Sequence, residues 1–208
     1  MISVSSFNLE YNKKKDYYVI TTDEVVPCPY CGGLLSYRDS VFRNVKNLLS
    51  EVRRFLLRRL LCQVCEKLHR ELPDIIQPYK HYETDVIQAV IEDSEDMSSC
   101  GADNATIRRW KAEFASAKPG INQKLSSVYA RMTNKTVPLA ATENILDRIK
   151  GSKKRWYSFV ISLLINSGHK ICTEFAFLPP ANSDKVSSSA RIFEERGRKN
   201  DKAIEDTS

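Results

Sequence analysis

Apolar positions repeat along this chain with two periods, and each period predicts a different element. Tyr17-Tyr18-Val19-Ile20-Thr21-Thr22 is β-branched and aromatic, the composition of a strand. It closes a polar stretch, 1–24, that reads as an N-terminal arm or an edge strand. Leu34 to Arg38 and Phe55 to Leu61 read as an outgoing and a returning strand. Between them Val41, Val45, Leu48, Leu49, Val52 and Leu56 recur at three and four residues, which is a helical period. The two signals conflict over 41–53. Strands are favoured there, with a helix as the alternative.

Downstream the helical period takes over. Val86, Ile87, Val90 and Ile91 form a stripe behind Thr84, which can cap a helix. A short second helix fits near Met97 to Cys100, and Gly101 supplies a tight turn. Asp103 or Asn104 can cap a third helix over Ala105–Phe114, with Ile107, Trp110 and Phe114 on one face. Pro119-Gly120 reads as a break. Further stripes follow at Ile121, Leu125, Val128, Tyr129 and Met132, and at Ile145, Leu146 and Ile149. Tyr157 to Ile165 is an apolar run that reads as a buried helix. Residues 181–208 are polar and charge-mixed and read as a disordered tail.

The predicted fold is mainly α with a small β zinc ribbon. It comprises an arm (1–24), a zinc ribbon and connector (25–80), a helix-turn-helix (81–117), a helical region (118–180) and the tail (181–208). The connector rests on Leu72-Pro73-Asp74-Ile75-Ile76-Gln77-Pro78-Tyr79, whose two prolines cannot share one helix interior.

Cysteine placement adds chemistry to this pattern. Four of the six cysteines form two Cys-x-x-Cys pairs, Cys28/Cys31 and Cys62/Cys65, separated by 30 residues. Each pair aims two thiolates at a point about 2.3 Å away, half of a tetrahedral zinc site. Two pairs make a closed structural Zn2+ site. A redox Cys-x-x-Cys lacks a surrounding βαβ pattern here, and disulfides need an oxidising compartment. Gly32 and Gly33 let backbone N–H groups turn toward the sulfurs. His69 could replace one cysteine as ligand, or it could be a surface or packing histidine. Cys100 and Cys172 have no partner at metal-ligand spacing, and Cys100 reads as a small buried thiol.

The chain has 208 residues and a net charge of +6. The charge is unevenly spread. Residues 81–100 hold six acids and no Lys or Arg, whereas 101–170 hold thirteen Lys/Arg against four acids. Clustered cations fit a polyanion partner, and equally a solvated charged surface. No apolar run reaches the length of a bilayer span, and 1–24 has no secretory character, so a cytoplasmic protein is expected, nucleoid-associated when bound to DNA. Asn104, Arg108, Arg109 and Lys111 lie off the aromatic face of the third helix, as a major-groove recognition helix requires. Arg53, Arg54, Lys153, Lys154 and Arg155 are further candidates for phosphate contact; the alternative for the strand arginines is a solvated face. Catalysis is not expected. After residue 117 only Glu143, Asp147 and Glu174 precede the tail, too few acids in too short a segment for a two-metal nuclease core.

The motifs Cys-Pro-x-Cys-Gly-Gly (Cys28, Pro29, Cys31, Gly32, Gly33), Arg-Arg-Leu-x-Cys-x-x-Cys (Arg58 to Leu60, Cys62, Cys65), His69, Leu72, Pro73, Pro78, Tyr79 and Tyr82, and Ile107 to Trp110 occur in this order. Their succession resembles a bacterial family of proteins linked to insertion sequences and other mobile elements. It is similar also to the zinc-binding, helix-turn-helix front ends of several transposases. The resemblance implies double-stranded DNA as partner, in transposition or its regulation. A protein–protein adaptor, bound to a transposase or another mobile-element protein, is the rival reading.

Overall fold

A computed structural model describes residues 1–94, 100–134 and 145–169 of the chain. The proposed helix at Met97–Cys100, Cys172 and the tail 181–208 lie outside the described residues, apart from Cys100 itself.

Six strands and four helices are described. The strands are β1 (Ile2–Val4), β2 (Asn8–Asn12), β3 (Tyr17–Thr21), β4 (Leu35–Lys46), β5 (Val52–Cys62) and β6 (Leu68–Pro73). The helices are α1 (Thr84–Glu92), α2 (Asn104–Thr133), α3 (Ile145–Ser152) and α4 (Trp156–Asn166). The architecture is therefore mixed α/β around a six-stranded sheet, which overturns the expectation of a mainly α protein with a small ribbon.

β5 is the hub of the sheet. β4 runs antiparallel along one edge of it, from Leu35 opposite Cys62 to Lys46 opposite Val52. Two strands share its other edge. β3 pairs parallel at Tyr18/Phe55 and Val19/Leu56, and β6 pairs antiparallel over Arg59–Leu61. β2 continues outward from β3, and β1 continues outward from β6. Residues 1–24 thus supply three strands, with β3 where Tyr17–Thr22 has strand composition, and the connector begins with a strand. Those segments are short and gain little from local pattern. β3 and β6 are ordered by the long backbone edge of β5, and they in turn offer edges to β2 and β1.

The helical period over 41–53 is accidental. Val41 and Val45 lie on one face of β4, a five-residue loop carries Leu48 and Leu49, and Leu56 faces the other side on β5. Inside the loop the Asn47 side chain accepts from the Glu51 N–H at 2.9 Å, and Ser50 adopts a left-handed φ of 62°. Opposed residues share a face, so Phe55, Leu57, Val45, Leu72 and Ile20 gather on one side of the sheet. The segment after β6 covers that side with Ile75 and Ile76. Arg43 holds it down by donating to the carbonyls of Gln77 (2.6 Å) and Lys80 (2.7 Å).

α1, α2 and α4 build a second apolar cluster around Trp110, Phe114, Ile121, Leu125, Trp156 and Tyr157. Asp103 caps α2 as expected, accepting from the Thr106 N–H at 2.8 Å. Thr84 does not act as a cap. It is the first residue of α1, and its hydroxyl donates to the Asp74 carbonyl at 2.9 Å. Nor does Pro119 break the chain; α2 runs through it for 30 residues. Both Pro119 and Ala115, whose carbonyl loses its helical donor there, are exposed. Exposure leaves that carbonyl open to solvent, and the buried row Trp110, Phe114, Ala117, Ile121, Leu125 and Val128 continues on both sides of the proline. α4 is the expected buried helix. It docks on the connector through Ser158, which donates to Asp74, and Tyr157, which donates to the Gln77 side chain at 3.1 Å.

Candidate metal centre and basic helix

The two Cys-x-x-Cys turns sit at the open end of the β4/β5 hairpin, opposite its loop. Cys28 and Cys31 precede β4; Cys62 ends β5 and Cys65 follows it. Their four sulfurs lie within 4.8 Å of one another. Cys28 Sγ is 3.6 Å from Cys65 Sγ, and Cys31 Sγ is 3.4 Å from Cys62 Sγ. Zinc–sulfur bonds of about 2.3 Å require an S–S edge of about 3.8 Å in a regular tetrahedron. The donor set and its spacing therefore fit a zinc ion, held by Cys28, Cys31, Cys62 and Cys65. Four sulfurs complete the tetrahedron and leave no position for water or substrate, so the chemistry such an ion supplies is cross-linking.

The two turns are built alike. In the first, the Cys28 N–H donates to the Gly33 carbonyl (2.9 Å) and the Gly32 N–H donates to the Cys28 carbonyl (2.8 Å). In the second, the Cys62 N–H donates to Lys67 (3.0 Å) and the Glu66 N–H donates to Cys62 (3.1 Å). Gly32 (φ 73°) and Glu66 (φ 56°) occupy the same left-handed position after the second cysteine. Glycine is at ease there and glutamate is not. Gly33 has a different reason. A Cβ on it would come 2.7 Å from Val64 Cγ2 and 3.1 Å from Cys62 Sγ, so only glycine lets the turns close.

Backbone donors prepare the sulfurs for a cation. N–H groups of Cys65 and Val64 pull the Cys62 thiol down to about 6. The Gly33 N–H also favours the Cys31 thiolate, but proton sharing with Cys62 and the other neighbouring thiols outweighs it and pushes Cys31 up to about 12. Within the Cys31/Cys62 pair two neighbouring thiolates repel, so a proton is shared between them; a bound cation would displace it.

His69 is fully buried and is not a fifth member of the sulfur cluster. Its Nε2 is 3.4 Å from Cys28 Sγ and its Nδ1 is 3.3 Å from the Met1 amine. One tautomer serves both: Nε2–H donates to sulfur while Nδ1 accepts. Burial, reinforced by the Met1 charge, holds its pKa below the usual value. Two supports escaped sequence reasoning. Tyr30 lies over the His69 ring at 5.8 Å, with the Lys67 ammonium 3.8 Å from Tyr30 on its own account. Gly168 (φ 81°) abuts the first turn so closely that a Cβ would fall 2.6 Å from the Pro29 carbonyl oxygen. The positions of Tyr30 and Lys67 beside the cysteines were the available signal for the first; nothing local marks the second.

The candidate DNA contacts divide by how they are held. Asn104, Arg108 and Arg109 are exposed on the first turns of α2, opposite buried Trp110 and Phe114. Arg108 donates to the Asn104 carbonyl at 3.3 Å, and Arg109 lies 3.9 Å from Glu113. Lys111 pairs with Asp93, which caps the C-terminus of α1. Arg53 is engaged by Glu83 at 2.7 Å and stands over the Tyr18 ring. Arg54 lies exposed over Phe42, and Lys153 over Phe159. Lys154 is exposed, whereas Arg155 bridges Asp74 (3.1 Å) and Asp85 (3.0 Å) and joins α4 to the connector and to α1. The structure thus keeps the three α2 residues together and scatters the others. No helix among the described residues is long and apolar enough to cross a membrane.

A model of a domain of unknown function (DUF6431) matches residues 28–110, less than half of the chain. The matched span opens on the first sulfur ligand and ends at Trp110, so it holds both turns, β4 to β6, α1 and the first turns of α2. No curated protein and no solved structure matches the chain.

Proposed function

We propose that this protein is a non-catalytic, zinc-stapled DNA-binding protein acting in transposition or its regulation. The reading rests on the first turns of α2. There Asn104, Arg108 and Arg109 face solvent while Trp110 and Phe114 anchor the opposite side. Rigid anchoring with exposed cations on the other face suits a helix that enters a major groove, where Arg reads guanine and Asn reads adenine. The ion pair of Lys111 with Asp93 is at the surface and exchanges readily for phosphate, whereas Arg155 is held in place by the largely buried Asp74. Zinc in a closed four-sulfur site supports the fold and leaves the chemistry to a partner. The resemblance to the front ends of transposases supplies the biological setting.

Binding of labelled duplex DNA at a series of salt concentrations tests this. Affinity is expected to fall steeply with salt, with a log–log slope of about −0.9 per phosphate contacted. Replacing Arg108→Ala with Arg109→Ala should weaken it at least tenfold. Wild-type affinity in that double variant would falsify the assignment of α2. One observation favours the adaptor reading as second choice. Tyr30 (52% exposed), Leu34 (65%) and Val64 (70%) present apolar side chains around the metal turns. An adaptor would bind a protein through them, with little dependence on salt.

A further inference from the structure

We propose that the uncovered face of the β-sheet binds single-stranded DNA. This surface is separate from α2 and does not depend on the duplex reading.

Strand alternation gives the sheet two unlike faces. The face bearing Phe55, Leu57 and Leu72 is packed. The register places Phe42 opposite Leu56, Asn44 opposite Arg54 and Tyr37 opposite Leu60 on the other. Near the metal that second face is closed by Leu60, His69 and Glu71, all buried. Further along β4 it opens. There Phe42 is 43% exposed, on a strand whose other side already faces a core; Tyr37, beside Leu60 and nearer the metal, is 61% exposed on the outer strand.

The open part is organised. The Phe42 ring meets Tyr17 edge-on, with centroids 5.2 Å apart, and the Arg54 guanidinium lies 3.8 Å from the Phe42 centroid. Two rings and a planar cation held on a sheet make a stacking platform, which any base can use because each has a π face. A duplex hides those faces in its own stack, so the platform selects single strands. Tyr37 continues the row toward the metal end, its hydroxyl 3.2 Å from the Ser40 hydroxyl.

The charges agree with this occupant. The β2–β3 turn carries Lys13, Lys14 and Lys15, all exposed, immediately before Asp16 and Tyr17. Arg54 and Arg38 add cations on or beside the face. The nearby acids are engaged: Asp39 by Arg59, Glu71 by Arg58, and Asp16 by the Tyr11 hydroxyl. Glu10, opposite Val19, also faces this side. Stacking bases with lysines alongside for the phosphates is the division of labour that sequence-tolerant single-strand binding uses.

The experiment uses the full zinc-loaded chain and a fluorescent oligo-dT, with a mixed-sequence duplex and an oligo-U in parallel. The expected result is oligo-dT binding that Phe42→Ala weakens about tenfold and Phe42→Ala with Tyr17→Ala about a hundredfold. Phe42→Trp should retain it, and duplex affinity should be unchanged in all three. Melting curves of the variants control for folding, and Phe42→Trp keeps the test decisive if the alanine variants are unstable. The proposal is overturned by absent oligo-dT binding, by wild-type affinity in the double variant, by oligo-U bound as tightly as oligo-dT, or by loss of oligo-dT binding in Arg108→Ala/Arg109→Ala instead. Failure of duplex binding alone removes the α2 reading and leaves this one standing.

Discussion

Asn166, the last residue of α4, gives both ends of its side-chain amide to Ser3 in β1. The Ser3 N–H donates to Asn166 Oδ1 at 2.8 Å, and Asn166 Nδ2 donates to the Ser3 carbonyl at 2.8 Å. The amide closes the outer edge of the sheet as another strand would, across 163 residues of sequence. Ser162 adds a hydroxyl contact to Ser3 at 2.7 Å. β1 has three residues, and this pairing together with β6 satisfies its backbone.

The first prediction follows from that exchange. Asn166→Asp replaces a donor by an acceptor and sets it against the Ser3 carbonyl. At neutral pH it should lower unfolding stability by about 1–3 kcal/mol, the cost of a buried polar group left unsatisfied. In acid the new carboxyl regains a proton to donate, so part of the loss should return. Urea denaturation at two pH values measures both, and equal stability of the variant and the wild type would show that the edge is held by other contacts.

Metal should act locally before it acts globally. Purified protein is expected to hold one zinc per chain. A chelator, or Cys62→Ser, should release the Leu35/Cys62 end of the hairpin first, while the Arg43/Phe55 end stays protected by its packed face. Residue-resolved hydrogen exchange distinguishes this from uniform loss of protection, which would mean that the ion supports the whole sheet.

The matched turns predict opposite signs for two substitutions. Glu66→Gly relieves a left-handed glutamate costing about 1–2 kcal/mol and adds back about 0.5–1 kcal/mol of glycine entropy. A net gain between zero and about 1.5 kcal/mol is expected. Gly32→Ala meets no atom within 4 Å and should lose only the conformational term. Gly168→Ala should cost more than Gly32→Ala, because its Cβ also strikes the Pro29 carbonyl. Denaturation midpoints of the three variants give the ranking.

Acid should act through Asp39. The Arg59 guanidinium hydrogen-bonded to it holds its carboxyl below the ordinary 3.8. A depressed folded pKa means that the pair's contribution is present above the ordinary value and is lost as pH falls through the folded one. The melting-temperature difference between wild type and Asp39→Asn should therefore be constant near neutrality and shrink below about pH 4. Metal loss in acid affects both proteins and cancels in the difference. A difference that does not change with pH would assign no titration to this pair.

Elements with strong local chemistry were legible from the residues alone. The four cysteines announced the sulfur cluster because Cys-x-x-Cys has few other uses in such a setting. Asp103, one of two candidate caps with Asn104, announced the start of α2, since a capping carboxylate acts on its own next turn, and Tyr157 to Ile165 announced a buried helix. β1, β2, β3 and β6 were not legible as a sheet. Each is three to six residues long, and the pairings that join them into one sheet, β1 with β6 and β3 with β5, bring together segments far apart in sequence. The continuity of α2 through Pro119 was hidden for a related reason. One lost bond argues for a break locally, and only the row from Trp110 to Val128, packed on distant residues, decides against it.

By itself, then, the sequence determined where a metal could be held and where the longest helices begin. These depend on covalent spacing and on contacts within a turn. The tertiary structure decided that β5 gathers five other strands into one sheet, that His69 leans on Cys28 from outside the sulfur cluster, and that one sheet face is packed while the other carries Tyr17, Phe42 and Arg54 into solvent. Each of these outcomes depends on pairing and burial between segments dozens of residues apart, and such free energies exist only once the chain has closed those loops.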